Sequence, residues 1–313
     1  MPASPACDSL IIPVGADAYN SFEDPSAISG PSTTTAESSN PYDKLITACK
    51  NAMEMSRAYE VLVHRSSRNR QQAGKMLSED FRGMIADKTL RELEYARGNA
   101  ITEPTGQPLR DPLEIDPRVC LTLWVHPTKK IKDHFWCMPR EKLHMTALEI
   151  SHSKTQEFID TYVDILVPQL PEILSLQTRN RTVLVEPMVS FDAVGIAISF
   201  VPAEACNYSY HHLRRDLYSM VAATGVEITS RYALPSAHIT IGRFTTAGNH
   251  HPTEGGVPIK KWLERIGEIN KWLEKVQVKW TLGEEVGMVC QAGRLWYGDG
   301  ETVMMGEGFY PGS

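Results

Sequence analysis

The spacing of apolar positions changes along the chain, and the change divides the sequence near residue 118. From Tyr42 to Val63 apolar residues recur at helical spacing, and a second helical stretch covers about 70–98. A connector rich in proline, EPTGQPLRDPLEIDP, follows. Together these features predict a helical extension and linker over residues 41–117.

Beyond the connector, short apolar runs alternate with amphipathic stretches, which is typical of a chain that mixes strands with helices. In chain order the pattern predicts strands at 118–125 and 142–150, a helix at 155–174 interrupted near Pro168, two strands within 182–202, a helix at 204–222 closed by Gly225, a strand at 236–244, a helix over 259–276 and a hairpin around YGDGET. This nearly symmetrical order predicts an α+β domain of two similar lobes over residues 118–313.

Composition bounds the kind of partner that the protein binds. Residues 1–40 are rich in Ser, Thr, Pro and Ala and cannot bury enough apolar area to order themselves, so we expect a disordered tail. The formal net charge of −6 argues against a surface that binds long duplex nucleic acid, because such binding needs clustered Lys and Arg. A small anionic ligand still fits, since a local site can oppose the net charge.

Neither a membrane nor a metal partner is predicted. No run of eighteen apolar residues occurs, and the N-terminus MPASPACDSLIIPVG lacks the basic and apolar regions of a secretion signal. The six cysteines are scattered without a C-x-x-C pair, which predicts reduced thiols and no zinc or disulfide framework. We therefore expect a cytoplasmic monomer, with the nucleus as the alternative location.

Two of the predicted strands carry the same pattern, in KLHMTALEI and SAHITIGRF: His, an apolar residue, Thr and another apolar residue. Because successive strand side chains point to opposite faces, His144 and Thr146 share a face, as do His238 and Thr240. The three other His-x-Ser/Thr triplets have Pro or a charged residue at the centre, where a central strand needs an apolar one. Two lobes that turn these faces inward would line a cleft with the four side chains.

Two opposed imidazoles beside two hydroxyls suit an in-line displacement at phosphorus. An imidazole has a reference pKa of about 6.5, so near neutral pH one ring can accept a proton while the other donates one. Each such transfer contributes about 10² to 10⁴ in rate. The hydroxyls can donate to non-bridging phosphate oxygens as charge builds there, and this set of groups fits the reaction without a metal ion.

At these residues the sequence resembles the two-histidine (2H) phosphoesterases, also described as the RNA ligase/cyclic nucleotide phosphodiesterase group. The stretch HMTALEI is similar to the first motif of that family and PSAHITIGRF to the second, including the Gly-Arg that often follows. Over about 118–310 the resemblance implies a bilobal domain whose two pseudo-symmetric antiparallel sheets form a central cleft.

The same resemblance implies a metal-independent phosphodiesterase without a cofactor. Its substrate would be a 2′,3′-cyclic phosphate or a related nucleotide or RNA-end phosphodiester. By the motif positions, His144 and His238 would be the catalytic acid/base pair, and Thr146 and Thr240 would bind phosphate. Which histidine is the base stays open, as does the choice of a 2′- or 3′-phosphate product.

Three further residues are candidate substrate contacts. Strict alternation from His238 directs Arg243 to the opposite strand face, unless Gly242 introduces a bulge. Trp124 and Tyr232 are aromatic residues that can stack on a base, as in many single-stranded nucleic-acid sites. Core packing is the alternative for Trp124.

Other polar features of the sequence are interpreted as surface. The pairs His211-His212 and His250-His251 have no carboxylate at ligand spacing, which predicts surface histidines and no metal site. The basic stretch 64–75 can guide an RNA strand, but a solvated turn between helices is the favoured interpretation.

Two other functions are compatible with the sequence. The domain can be a non-catalytic nucleotide- or RNA-binding module of the same fold, although a pure binder has no need to keep both His-Thr pairs intact. Alternatively, the helical extension makes the chain an interaction or scaffold protein. Nothing in residues 41–110 resembles a known motif that would decide this.

Overall fold

A computed structural model of the protein describes residues 40–62, 65–96, 118–126, 138–229, 234–244, 259–295 and 299–309. The predicted tail up to residue 39, most of the linker, the His250-His251 pair and Tyr232 lie outside these ranges. The helices are α1 (Asp43–Ala48), α2 (Ala52–Leu62), α3 (Arg65–Met76), α4 (Lys88–Ala96), α5 (Gln156–Leu166), α6 (Leu170–Leu174), α7 (Leu176–Arg179), α8 (Tyr210–Ala223) and α9 (Ile259–Val276), with a 3₁₀ turn at Arg140–Lys142.

Two four-stranded antiparallel sheets organise the described chain, which confirms the prediction of an α+β fold with antiparallel sheets. The strands are β1 (Val119–Val125), β2 (Met145–Lys154), β3 (Val183–Phe191), β4 (Gly195–Pro202), β5 (Ala237–Arg243), β6 (Lys279–Thr281), β7 (Val289–Gly293) and β8 (Glu301–Met305). The first sheet has the order β2-β1-β7-β8 and the second the order β5-β4-β3-β6. The two strands of the His-x-Thr motifs, β2 and β5, are therefore edge strands.

The strands form near the predicted positions, although β2 begins at Met145, just after His144, and not at residue 142. One helix prediction is wrong. In place of a helix over 70–98, α3 begins at Arg65 and ends at Met76, and α4 begins at Lys88. The segment between them contains Gly83 with a φ of 100°, a conformation that suits glycine and interrupts a helix. Helix α8 also begins later than predicted, because the Ser209 side chain caps it by accepting from the His212 backbone N–H.

The first three helices belong to the main core. Tyr42, Met55 and Tyr59 are buried in the same apolar cluster as the strand residue Phe200. Helix α1 contacts α8, α2 packs on β4 and α3 packs on β3. The described part of the extension is therefore integrated with the second sheet, and its removal would expose apolar surface that is now buried.

Strands β2 and β5 lie against each other, although they belong to separate sheets. A neighbouring segment donates a backbone hydrogen bond to each of the two strands. The Thr229 N–H donates to the Ile150 carbonyl on β2 at 2.9 Å, and the Met138 N–H donates to the Ile241 carbonyl on β5 at 2.7 Å. Each bond occupies one carbonyl group on the edge of a motif strand that its sheet leaves open.

Candidate functional site

Polar and apolar side chains alternate on both motif strands, as the sequence predicts. The partly exposed residues are His144, Thr146, His238 and Thr240. The buried ones beside them are Met145, Ala147, Ala237 and Ile239. The apolar faces pack into the core, so the two His-Thr pairs lie on the faces that remain in contact with solvent.

Each histidine ring is held by the residue two positions before it. Nδ1 of His144 lies 2.8 Å from the Lys142 carbonyl oxygen, which can only accept, so Nδ1 carries the proton. Nδ1 of His238 lies 2.9 Å from the Ser236 hydroxyl, which can either donate or accept. Both rings are thus held through Nδ1 but differ in which tautomer the partner permits.

Burial of the His144 and His238 rings lowers the pKa of each to about 4. For His144 the main cause is loss of solvation, and the charge of His126 adds to it. For His238 loss of solvation is followed by repulsion from Arg214, Arg68 and His144. Since His144 is among the charges that act on His238, the two imidazoles are within electrostatic reach of each other. Both rings are neutral near pH 7.

A third imidazole lies beside the first motif. Nδ1 of His126, at the end of β1, is 3.0 Å from the Leu143 carbonyl oxygen, next to His144 in sequence. Loss of solvation lowers the pKa of His126 as well. The pKa values of all three histidines are therefore lowered, and two arginines, Arg214 and Arg68, act on His238.

Arg243 lies on the histidine face of β5 because the strand has a bulge. His238 is opposite Ser199, Thr240 opposite Ala197 and Arg243 opposite Gly195, which leaves Ile241 as the extra residue in the ladder. Alternate residues of β4 share a face, so the side chains opposite them do too. The guanidinium of Arg243 pairs with Asp87 at 3.1 Å, and both side chains are nearly buried.

Helix α8 joins the two motif strands through two side chains. The Tyr210 hydroxyl donates to the Thr146 carbonyl at 2.8 Å. The buried guanidinium of Arg214 donates through Nε to the Ala147 carbonyl at 3.0 Å and through Nη1 to the Leu234 carbonyl, just before β5. Arg214 thereby links both motifs while its charge acts on His238.

The basic stretch 64–75 forms helix α3 where it is described, so its interpretation as a solvated turn is wrong. Arg65 is buried and donates through Nε to the Ser199 hydroxyl at 3.0 Å. Asn69 donates to the Val189 carbonyl at 2.8 Å. Hydrogen bonds to the second sheet hold this very polar helix in place. The composition of the stretch does not reveal these contacts.

The remaining predicted residues are placed as follows. Trp124 is opposite Thr146 in the β1–β2 ladder, and Tyr232 lies outside the described residues. His211 is buried between the Tyr59 hydroxyl and the Tyr42 carbonyl, each at 3.2 Å, so its prediction as a surface residue is wrong. Burial is also the main reason that its pKa falls to about 3.

Comparison with known proteins adds no relative: no protein-family model matches the chain, and no curated protein or solved structure matches it either. Among the described helices none is long and apolar enough to cross a membrane. In the same part of the chain, no group of three His, Cys, Asp or Glu side chains is placed to hold a metal ion. The functional interpretation therefore depends on the geometry of the motif strands.

Sequence reasoning missed several residues that shape this site. Ser236 is the one with a local signal, because it stands two positions before His238 and can reach the ring. Arg214 and Tyr210 lie in an ordinary amphipathic helix, and Arg68 lies in a stretch assigned to solvent. Their contacts join residues far apart in the chain, so no periodicity or spacing indicates them.

Proposed function

We propose that the protein is a phosphodiesterase of the two-histidine type, which hydrolyses a 2′,3′-cyclic phosphate or a related nucleotide or RNA-end phosphodiester. One observation carries the proposal: β2 and β5 lie against each other, and a partly exposed His-x-Thr motif stands at the start of each strand. In this proposal the two sheets are the lobes of a bilobal domain, and the substrate phosphate lies at their junction. Neither a metal ion nor a cofactor is part of the proposed reaction.

The hydrogen-bond partners favour His144 as the general base. Because its Nδ1–H donates to the Lys142 carbonyl, the neutral ring has its lone pair on Nε2, where it can accept a proton from water. The resulting oxygen nucleophile attacks phosphorus. The imidazolium that forms keeps the same carbonyl as its partner, so the ring needs no rearrangement.

His238 then acts as the general acid. The general acid is the protonated ring, in which Nδ1–H donates to the Ser236 hydroxyl and Nε2 carries the proton to be transferred. As the bond between phosphorus and the ribose oxygen breaks, that oxygen takes the proton from Nε2. Thr146 and Thr240 donate hydrogen bonds to the non-bridging phosphate oxygens. The orientation of the cyclic phosphate between the two histidines decides whether the product is a 2′- or a 3′-phosphate.

Incubation of the full chain with EDTA and a substrate panel tests the proposal. The panel consists of 2′,3′-cyclic nucleotides, ADP-ribose cyclic phosphate, and 2′,5′-linked and 3′-tailed oligonucleotides, with products separated by chromatography. We expect turnover of at least one substrate at a rate that the chelator leaves unchanged. Strict dependence on an added divalent ion would contradict the mechanism, and tight binding without turnover would favour the non-catalytic module.

The lowered pKa values predict an acid-shifted rate profile. The reactive free protein has His144 neutral and His238 protonated, and with both pKa values at about 4 this form becomes rarer as pH rises. We expect kcat/KM to fall roughly tenfold per pH unit between about pH 5 and 8. A pair of histidines with the reference pKa would instead give a maximum of kcat/KM near pH 6.5. A bound phosphate anion raises both pKa values, so the optimum of kcat should lie at higher pH.

Steady-state rates across this range check the profile, with circular dichroism at each pH to confirm that the protein is folded. An optimum of kcat/KM at or above neutrality would show that the two rings titrate as ordinary surface histidines.

A further inference from the structure

Helix α3 lies on the histidine face of the second sheet. Arg65 bonds the Ser199 hydroxyl, and Ser199 is directly opposite His238 in the β4–β5 ladder. Residues directly opposite in a ladder project to the same face, so the contact puts the start of α3 on the same side as the His238 ring. The other face of this sheet packs on α9, where the ring centres of Phe191 and Trp262 are 5.0 Å apart.

Arg68 is one helical turn beyond Arg65, in the direction of the turn between β3 and β4. Its Nη2 lies 3.4 Å from the Asp192 carboxylate in that turn. Along β4 the residues between Ser199 and this turn include Ala197, which is opposite Thr240. Arg68 therefore spans the part of the face that carries Thr240, and its charge is among those that act on His238.

An anionic substrate needs a cation at this position. The imidazoles of the two motifs are neutral near pH 7, so they attract a phosphate only weakly before the proton transfers begin. Arg214 is fully buried and donates to two backbone carbonyls. Arg68, by contrast, is 16% exposed at its side chain, and its Nη2 lies 3.4 Å from the Asp192 carboxylate, so part of its guanidinium is in reach of a ligand.

We propose that Arg68 is a phosphate-binding residue of the site, so that helix α3 of the N-terminal extension forms one wall of the cleft. This inference rests on the proposed function and extends it to a residue outside the motif-bearing domain. When substrate enters, the guanidinium exchanges part of its contact with Asp192 for a non-bridging phosphate oxygen. Asp192 stays supported by the Val194 and Gly195 N–H groups, at 2.8 and 2.9 Å.

Substitution of Arg68 tests the inference with inorganic phosphate and with the best substrate of the panel. In Arg68→Gln we expect phosphate to bind roughly tenfold to a hundredfold more weakly, the range for loss of one charge-assisted hydrogen bond. KM should rise by a similar factor, with a smaller change in kcat. Arg70→Ala is the matched control, because Arg70 is exposed on the same helix and should change neither value.

The double variant Arg68→Gln/Asp192→Asn separates binding from folding, since it leaves no buried carboxylate without its partner. Its melting temperature should be close to that of the unmodified protein, and its phosphate affinity should be as low as in Arg68→Gln. NMR titration gives an independent readout: the pKa of His238, which also faces Arg214, Ser236 and His144, should rise when the Arg68 charge is removed.

The outcomes separate the two proposals. If the unmodified protein turns over no substrate but binds phosphate and loses that affinity in both Arg68 variants, the phosphodiesterase proposal fails while the phosphate site stands. Turnover and phosphate affinity that are unchanged in both variants would overturn the role of Arg68 alone. An unmodified protein that binds no phosphate would overturn it as well.

Discussion

Replacing His144 or His238 with alanine should lower turnover of a cyclic phosphate more than a hundredfold. Each ring is proposed to transfer one proton, and such a transfer contributes about 10² to 10⁴ in rate. Neither side chain is part of the apolar core, so both variants should keep the fold of the unmodified protein. Steady-state rates together with circular dichroism measure the two effects separately.

A substrate with a good leaving group distinguishes the roles of the two rings. A p-nitrophenyl phosphodiester needs no proton on its departing oxygen, so a variant that lacks the general acid should recover most of its rate with it. We therefore expect recovery for His238→Ala and none for His144→Ala. The roles of base and acid are assigned from the Nδ1 partners, Lys142 for His144 and Ser236 for His238. The reverse pattern of recovery would exchange the two roles.

His152→Ala is the matched control for these variants. His152 lies on β2, on the same strand as the first motif, and its Nδ1 contacts the hydroxyl of Ser153. Its removal should leave turnover within about twofold of that of the unmodified protein, as expected for a substitution away from the reacting groups. Losses below tenfold in both motif variants, or a similar loss in the control, would contradict two-histidine catalysis.

Replacing Arg214 with methionine should lower the free energy of unfolding by about 3 to 5 kcal/mol. The substitution removes the donor of two hydrogen bonds, a buried one to the Ala147 carbonyl and a partly buried one to the Leu234 carbonyl, and a buried group left unsatisfied costs about 1 to 3 kcal/mol. It also removes the guanidinium that lies 4.6 Å from the Tyr42 ring centre. Urea unfolding monitored by fluorescence and circular dichroism measures the loss.

Arg215→Ala is the control for this prediction. Arg215 is the neighbouring arginine on α8, partly exposed and paired with Asp216 at 2.6 Å, so its loss should cost no more than about 1 kcal/mol. The stability of Arg214→Lys should lie between those of the methionine variant and the control. Its ammonium keeps the charge but cannot bond two carbonyls as the planar guanidinium does. Equal stability of the methionine variant and the control would show that Arg214 does not join the two motif strands.

Deletion of the N-terminal extension is a poor test of its function. Tyr42 and Tyr59 are buried against the second sheet and α8, and both bond His211. A chain that begins after residue 110 would lose this part of the core, so lost activity could reflect unfolding. Point substitutions on the outer and inner faces of α3, such as those of Arg70 and Arg68, separate the roles that a truncation combines.

The local features of the fold follow from the sequence. Alternating apolar residues in KLHMTALEI and SAHITIGRF predict strands, and the alternation predicts which face carries each His-Thr pair. The break at Pro168 and the pairing of the terminal hairpin are also predicted, because proline and glycine act within a few residues of their own position. Periodicity is a property of neighbours along the chain, and a linear sequence displays it directly.

Only the tertiary structure decided how these strands meet and what surrounds them. The extra residue Ile241, which turns Arg243 to the histidine face, depends on how β5 pairs with β4. Arg214 contacts β2 and the start of β5 from a helix whose own pattern is unremarkable, and Arg68 reaches the second sheet from a stretch that looks solvated. Such contacts join residues tens to more than a hundred positions apart, and they depend on packing and on satisfying buried polar groups, which the order of residues alone does not reveal.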